Sequence, residues 1–84
     1  MTIKKDSILT VDDDVHILRL LRRILEDEGF RVFSTTSGEE ALKEIKQKLF
    51  DVVVLDLKMP GMDGIETLAE IKKTKPNIEV ILLT

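Results

Sequence analysis

The sequence of 84 residues has no cysteine, no tryptophan, no tyrosine and only two prolines. Without cysteine, the chain can form neither a disulfide scaffold nor a thiolate metal site. No segment approaches the ~20 apolar residues that a membrane helix requires, and the first residues lead into no signal-peptide core, so we expect a cytoplasmic protein that spans no membrane. The net charge of −3, with no dominant Lys/Arg cluster, argues against nucleic-acid binding by this segment.

The overall composition is that of a small globular domain. Hydrophobic residues make up 43% of the chain and charged residues 35%, a balance too apolar for a disordered tail. A chain of this length buries only about 60% of the surface that its unfolded form exposes, so its stability should be modest. We expect one domain that covers residues 1–84.

Apolar runs and helical patterns alternate along the chain. The expected strands cover residues 8–11, 31–35, 51–56 and 78–83, and an amphipathic helical pattern separates each strand from the next. This alternation predicts an α/β fold in which right-handed crossovers build a parallel sheet covered on both faces.

Each helical pattern has an apolar stripe and recognisable ends. The side chains expected to face the core are Ile17, Leu18, Leu21, Ile24 and Leu25 in the first helix, Ala41, Leu42, Ile45 and Leu49 in the second, and Ile65, Leu68, Ala69 and Ile71 in the third. Gly29 should end the first helix in a left-handed conformation. Ser37 with Glu40, and Asp63 with Glu66, match capping boxes that open the next two helices.

Acidic residues follow two of the predicted strands. Asp12 and Asp13 end the first strand, and Asp56 ends the third. Each has an ordinary alternative role, since Asp13 or Asp14 could cap a helix and Asp56 could start a turn. If the two strands are neighbours, however, three carboxylates meet at the carboxyl edge of the sheet, where α/β folds bind ligands. Carboxylates this close repel each other, so some must protonate, pair with a cation or bind a metal. Ligands that are all oxygen atoms favour a hard cation such as Mg²⁺.

Three segments of the sequence are distinctive: Ile-Leu-Thr-Val-Asp-Asp-Asp at 8–14, Asp-Val-Val-Val-Leu-Asp-Leu-Lys-Met-Pro-Gly-Met-Asp-Gly at 51–64, and Ile-Leu-Leu-Thr at 81–84. Together they resemble the corresponding segments of response-regulator receiver domains. The resemblance covers nearly the whole chain, and its central motif, at residues 51–64, is expected in few other kinds of protein. It implies a flavodoxin-like parallel sheet, here (βα)3β with strand order 2-1-3-4.

The resemblance also implies roles for particular residues. Asp56 would accept a phosphoryl group from a histidine kinase, and Asp12 and Asp13 would hold Mg²⁺. The metal would also bind Asp56 and the backbone carbonyl of Lys58. Thr84 would be the switch hydroxyl that reports phosphorylation. The chain would then be a phosphoacceptor module of a two-component system and not an enzyme.

Receiver domains continue beyond the segment that Thr84 ends, with a fourth helix, a fifth strand bearing a phosphate-binding lysine, and a fifth helix. We therefore expect a truncated receiver whose phosphotransfer is impaired, since each lost electrostatic contact could cost ~3 kcal/mol of transition-state stabilisation. The fourth strand would be an uncovered edge, and we expect two chains to pair there as a homodimer. The alternative is a self-associating binding module that is never phosphorylated.

Other candidate residues and functions are weaker. We expect Pro60, Gly61 and Gly64 to act as scaffolding that sets backbone turns, and Met59 and Met62 to pack in the interior. Surface roles are expected for His16, Arg19, Arg22 and Arg23. An Asp-nucleophile phosphatase would need a second aspartate where Lys58 stands. A flavodoxin-type flavin protein would need a Ser/Thr-rich phosphate loop after the first strand, which is missing.

Overall fold

The computed structural model describes residues 6–59 and 64–83 of the chain. The strands are β1 (Ser7–Val11), β2 (Arg31–Thr35), β3 (Val52–Asp56) and β4 (Glu79–Leu83). The helices are α1 (Val15–Asp27), α2 (Gly38–Gln47) and α3 (Gly64–Thr74). None of the helices in these ranges combines the length and the apolar character needed to cross a bilayer.

The four strands form one parallel sheet in the order β2-β1-β3-β4. Leu9 in the central strand β1 lies opposite Phe33 in β2 on one side and opposite Val53 in β3 on the other. These three residues therefore lie at the same level of the sheet. β4 continues the sheet beside β3, with Val54 opposite Ile81. The α/β fold and the strand order implied by the resemblance are both confirmed.

The larger part of the core lies between the sheet and the pair α2 and α3. Leu9 and Val53 are fully buried in this layer, and Ala41, Ile45 and Ile71 cover them from the two helices. Because side chains alternate across a strand, Ile8, Val32 and Val54 point to the opposite face, where Leu18 of α1 is also buried. The sheet is thus buried on both faces near its centre, as the apolar strand sequences predict.

The ends of the helices follow the capping signals. Asp14 caps α1 by accepting a hydrogen bond from the backbone N–H of His16 at 2.9 Å. Ser37 caps α2 by accepting one from the backbone N–H of Glu40 at 3.2 Å. Gly29 has φ +96°, the left-handed conformation expected after α1. The cap predicted at Asp63 lies outside the described residues.

Several side chains predicted to be buried are exposed. Ile17 and Ile24 of α1 are 36% and 51% exposed, because this helix packs mainly against the edge strand β2 and buries only Leu18. Leu49 is 85% exposed, since α2 ends at Gln47 and the residues that follow leave the helical phase.

The inward face of α3 also differs from the prediction. Ile65 and Ala69 are exposed, whereas Thr67 and Ile71 are buried. Thr67 and Ile71 are four residues apart and so share one face of the helix. That face packs against the sheet. The sequence pattern missed it because Thr67 has a polar hydroxyl and was not counted among the apolar residues.

Candidate functional site

Pairing of β1 with β3 brings the three predicted acids together. Val11 lies opposite Leu55, so Asp12 and Asp56 are the next residues on two neighbouring strands. One carboxylate oxygen from each of Asp12, Asp13 and Asp56 lies within 4.8 Å of the other two. Asp12 is buried, Asp56 is half-buried and Asp13 is exposed, so the cluster opens to solvent on one side. The predicted convergence at the carboxyl edge of the sheet is confirmed.

Asp12 is held from both sides. Its backbone N–H donates to the carbonyl of Thr35 at 3.1 Å, and its Oδ1 accepts from the backbone N–H of Asp14 at 2.9 Å. Beneath it, the buried hydroxyl of Thr35 donates to the carbonyl of Thr10 at 3.2 Å and ties β2 to β1. Thr35 was not among the predicted site residues, because a threonine in a strand carries no sequence signal for this support.

The environment of Asp12 opposes its ionisation. Burial raises the pKa of the Asp12 carboxyl above its ordinary value, and the negative charges of Asp56 and Asp13 raise it further. The hydrogen bond from the Asp14 backbone acts in the other direction, since it favours the carboxylate. A cation bound among these oxygens would offset the cost of burying the Asp12 carboxylate and reduce its repulsion with Asp13 and Asp56.

Backbone hydrogen bonds fix the segment that follows β3. The N–H of Lys58 donates to Oδ1 of Asp56 at 3.0 Å and orients that carboxylate. The N–H of Leu57 donates to the carbonyl of Leu83 at 3.1 Å, and the carbonyl of Leu57 accepts from the N–H of Gly64 at 3.3 Å. A side chain at Gly64 would place its Cβ 2.3 Å from the Leu57 Cα, so only glycine allows this approach.

The acids form one wall of a cleft whose other wall is apolar. The cleft has a volume of about 530 Å³. Ile17, Leu20 and Leu21 of α1, together with Leu83 of β4, line its apolar side. Because Leu20 and Ile17 are exposed, this side of the cleft borders an apolar surface of α1.

The remaining predicted residues divide into three groups. Thr84 and the loop residues Pro60, Gly61 and Met62 lie outside the described residues. Met59 is buried in the core, and Gly64 has the scaffolding role expected of it. His16 and the arginines of α1 lie largely at the surface, as expected, although Arg22 also donates to Ser34 at 3.3 Å and forms a 3.5 Å ion pair with Glu26.

Comparison with known proteins identifies a family and several relatives. Residues 8–84 match the family described as the response regulator receiver domain. The transcriptional regulatory protein ZraR of Klebsiella oxytoca is 44% identical over 78 residues, which are 93% of this chain and 18% of ZraR. The sporulation initiation phosphotransferase F of Bacillus subtilis is 42% identical over 79 residues, which are 94% of this chain and 64% of that protein. The chain thus spans less than two thirds of the length of either relative.

Solved structures agree with the sequence matches. The response regulator protein TrrA of Thermotoga maritima, in complex with Mg²⁺-BeF, superposes with a TM-score of 0.90 at 43% identity, and the match covers 94% of this chain and 69% of TrrA. A receiver domain protein of Methanospirillum hungatei superposes with a TM-score of 0.92 at 35% identity, covering 94% and 63% of the two chains. The sheet order and the acid cluster agree with these matches. The chain therefore belongs to the response regulator receiver domain family.

Proposed function

We propose that this chain is a phosphoacceptor module of a two-component system, which takes a phosphoryl group on Asp56 from a histidine kinase. The observation that carries the proposal is the meeting of Asp12, Asp13 and Asp56 within 4.8 Å at the carboxyl edge of the sheet. Among similar proteins, TrrA has been solved in complex with the histidine kinase ThkA, which supports a kinase as the phosphodonor. The module transmits a signal and turns over no external substrate.

The acid cluster suits Mg²⁺ as its cofactor. Its donors are all carboxylate oxygens, and burial with mutual repulsion makes Asp12 costly to ionise without a cation. Asp12, Asp13 and Asp56 would hold the ion, with the backbone carbonyl of Lys58 as a further ligand. When bound, Mg²⁺ supplies positive charge that neutralises the phosphoryl oxygens.

The protein's own part in the transfer is mainly positioning. A carboxylate oxygen of Asp56 forms a bond to phosphorus while the bond from phosphorus to the histidine nitrogen of the donor breaks, and the nitrogen leaves with the electron pair. The product is a mixed anhydride on Asp56. The Lys58 N–H fixes one carboxylate oxygen before the reaction, so less ordering is needed at the transition state. Thr84 would then bind a phosphoryl oxygen as the switch hydroxyl.

Phosphorylation by a small-molecule phosphodonor tests this function directly. The protein is incubated with phosphoramidate and Mg²⁺, and its intact mass is measured. We expect a gain of one phosphoryl group that disappears in Asp56→Asn and when the metal is chelated. Asp14→Asn is the matched control, because asparagine can still cap α1 and Asp14 is outside the three-acid cluster. No gain in the wild type, or the same gain in Asp56→Asn, would contradict the proposal.

A second role, self-association through β4, has its own support. β4 is an edge strand of the sheet, and its residues Ile81 and Leu82 are 54% and 42% exposed. An apolar edge strand is a template for pairing with another chain. Two copies that pair their β4 strands antiparallel across a twofold axis would make one continuous sheet, and such a dimer is compatible with an unphosphorylated binding module.

A further inference from the structure

A second cleft lies at the opposite end of the sheet from the acid cluster. It has a volume of about 320 Å³ and separates the turn between α2 and β3 from the turn between α3 and β4. Asp51 precedes β3 at this cleft, whereas Asp56 ends β3 at the acid cluster, so the two sites are at opposite ends of one strand. Nothing in the proposed phosphotransfer uses it.

The wall of this cleft is apolar over much of its area. Ile45, Leu49, Phe50 and Ile78 contribute side chains to it, and Pro76 completes the rim. Ile45 and Ile78 are buried beneath the cleft, but Leu49 is 85% exposed at its edge. An exposed leucine beside a concave apolar surface extends the area that a bound apolar group would bury.

The polar groups of the cleft include one cation with no partner among the described residues. Lys48 is occupied, because its Nζ lies 3.0 Å from Oε2 of Glu44 and 4.6 Å from the centre of the Phe33 ring. Lys75 is half-buried and lines the cleft, and within the described part of the chain no carboxylate or carbonyl contacts its ammonium.

The cleft also contains one carboxylate, that of the exposed Asp51. Its Oδ2 accepts a hydrogen bond from the backbone N–H of Ser7 at 2.9 Å, which ties it to the start of β1. Thr74 and Asn77 add hydroxyl and amide groups beside Lys75. The polar end of the cleft therefore includes hydroxyl, amide and ammonium donors, and the ammonium of Lys75 can form a charge-assisted hydrogen bond.

We propose that this cleft binds a small amphipathic carboxylate, whose apolar body packs on Leu49, Phe50 and Ile78 and whose carboxylate pairs with Lys75. The volume is at the lower end of the range of ligand pockets, which suits a short chain and is too small to enclose a large cofactor. For a ligand of this size with one ion pair, we expect a dissociation constant of about 1 mM. The proposal is independent of phosphorylation at Asp56.

Titration with octanoate, below the concentration at which it forms micelles, tests the proposal by amide chemical shifts. We expect saturable shifts at residues 45–51 and at 74, 75, 77 and 78, with weaker binding of octanol and of octylamine, which share the apolar body but lack the carboxylate. Lys75→Met keeps most of the apolar stem and removes the charge, and it should weaken octanoate binding about tenfold. Lys73→Met, on an exposed lysine of α3 that does not line the cleft, should leave the affinity unchanged.

Three results would overturn the proposal. Octylamine or octanol could bind as tightly as octanoate, which would leave no role for Lys75. Lys73→Met could weaken binding as much as Lys75→Met, which would mean a general attraction to positive charge. The shifts could instead follow the apolar surface of α1 and β4, which would place the ligand at the other end of the molecule.

Discussion

Asp12 is a buried acid with two acidic neighbours, and its protonation should affect stability. Because its pKa is raised in the folded protein, the folded state binds this proton more tightly than the unfolded state does. In metal-free buffer, the contribution of Asp12 to stability should therefore fall as the pH rises from the ordinary Asp pKa through the raised value. Asp12→Asn removes this loss and can still accept the hydrogen bond from Asp14. The variant should gain stability relative to the wild type as the pH rises through that window.

Urea unfolding with a chelator present, at a series of pH values, measures this difference. Below the ordinary Asp pKa the gap between the two proteins should be constant, and above the raised value it should reach a plateau. Asp14→Asn, at an exposed acid two residues away, serves as the control and should show no such increase. An Asp12→Asn protein whose gap from the wild type is the same at every pH would show that burial does not perturb this carboxyl.

Gly64 marks a close approach between the start of α3 and the backbone after Asp56. A Cβ at this position would lie 2.3 Å from the Leu57 Cα and 2.8 Å from its carbonyl carbon, so the backbone must move to accept it. We expect Gly64→Ala to destabilise the fold by about 1–3 kcal/mol. The displaced Leu57 adjoins Asp56, so phosphorylation by phosphoramidate should also slow.

Gly29→Ala is the matched control for this substitution. Gly29 has φ +96°, and the space that an added Cβ would occupy has no other part of the chain within 4 Å, so alanine there costs only backbone strain, about 1–2 kcal/mol. Thermal unfolding compares the two variants, and intact mass follows their phosphorylation at a temperature where both are folded. Loss of phosphorylation in Gly29→Ala alone, or unchanged stability in Gly64→Ala, would contradict the explanation.

At the scale of elements, α1 shows what an apolar periodicity can and cannot predict. The pattern correctly indicates a helix with an apolar stripe, and Leu18 is buried as expected. It does not tell which part of the stripe another element covers, so the prediction that Ile17 and Ile24 face the core is wrong. The same limit applies to Ile65, because local spacing carries no information about the distance to the sheet. Leu49 is exposed for a different reason, since α2 ends at Gln47. Capping signals are more reliable, since Ser37 and Asp14 satisfy backbone groups of their own helix.

The exposed edge of β4 predicts a self-association that one substitution can suppress. In an antiparallel pairing about the middle of the strand, Ile81 of the two copies would lie opposite each other. Ile81→Lys would place two positive charges there and should raise the dimer dissociation constant about tenfold or more. Sedimentation velocity over a range of concentrations measures the change.

Ile65→Lys is the control for the dimer. Ile65 is 62% exposed on α3, outside the strand edge, so the same change of chemistry should leave the association unaffected. A wild-type protein with the same monomer mass at every concentration would exclude pairing through β4.

At the scale of the whole molecule, the acid cluster was predictable because the chain order determines where parallel strands end. Strand-helix alternation requires every strand to run in the same direction, so the residues after β1 and β3 must emerge at one edge. That β1 and β3 are neighbours follows from the family resemblance and from no local signal in the residues. The support of Asp12 by Thr35 could not be predicted, since it depends on the register between β1 and β2.

Metal binding should stabilise the molecule as a whole. A ligand that binds only the folded state raises the free energy of unfolding, by about 2–3 kcal/mol when it is present at ~100 times its dissociation constant. We expect Mg²⁺ to raise the melting temperature of the wild type and to have little effect on Asp13→Asn. Differential scanning calorimetry with and without Mg²⁺ measures the shift.

Asp14→Asn again provides the comparison, because it removes one negative charge near the cluster without removing a member of it. This variant should retain most of the stabilisation by Mg²⁺. Equal losses in Asp13→Asn and Asp14→Asn would point to general screening of negative charge and would contradict a specific site.

The two halves of the acid cluster are far apart in the sequence, and only the pairing of β1 with β3 joins them. During synthesis, Asp12 and Asp13 leave the ribosome well before Asp56 does, and until the later strand docks they are merely an acidic turn. A divalent ion should therefore bind late on the folding pathway and mainly slow unfolding, with little effect on the rate of folding. The phosphotransfer proposed for Asp56 would then begin only after β3 has docked beside β1.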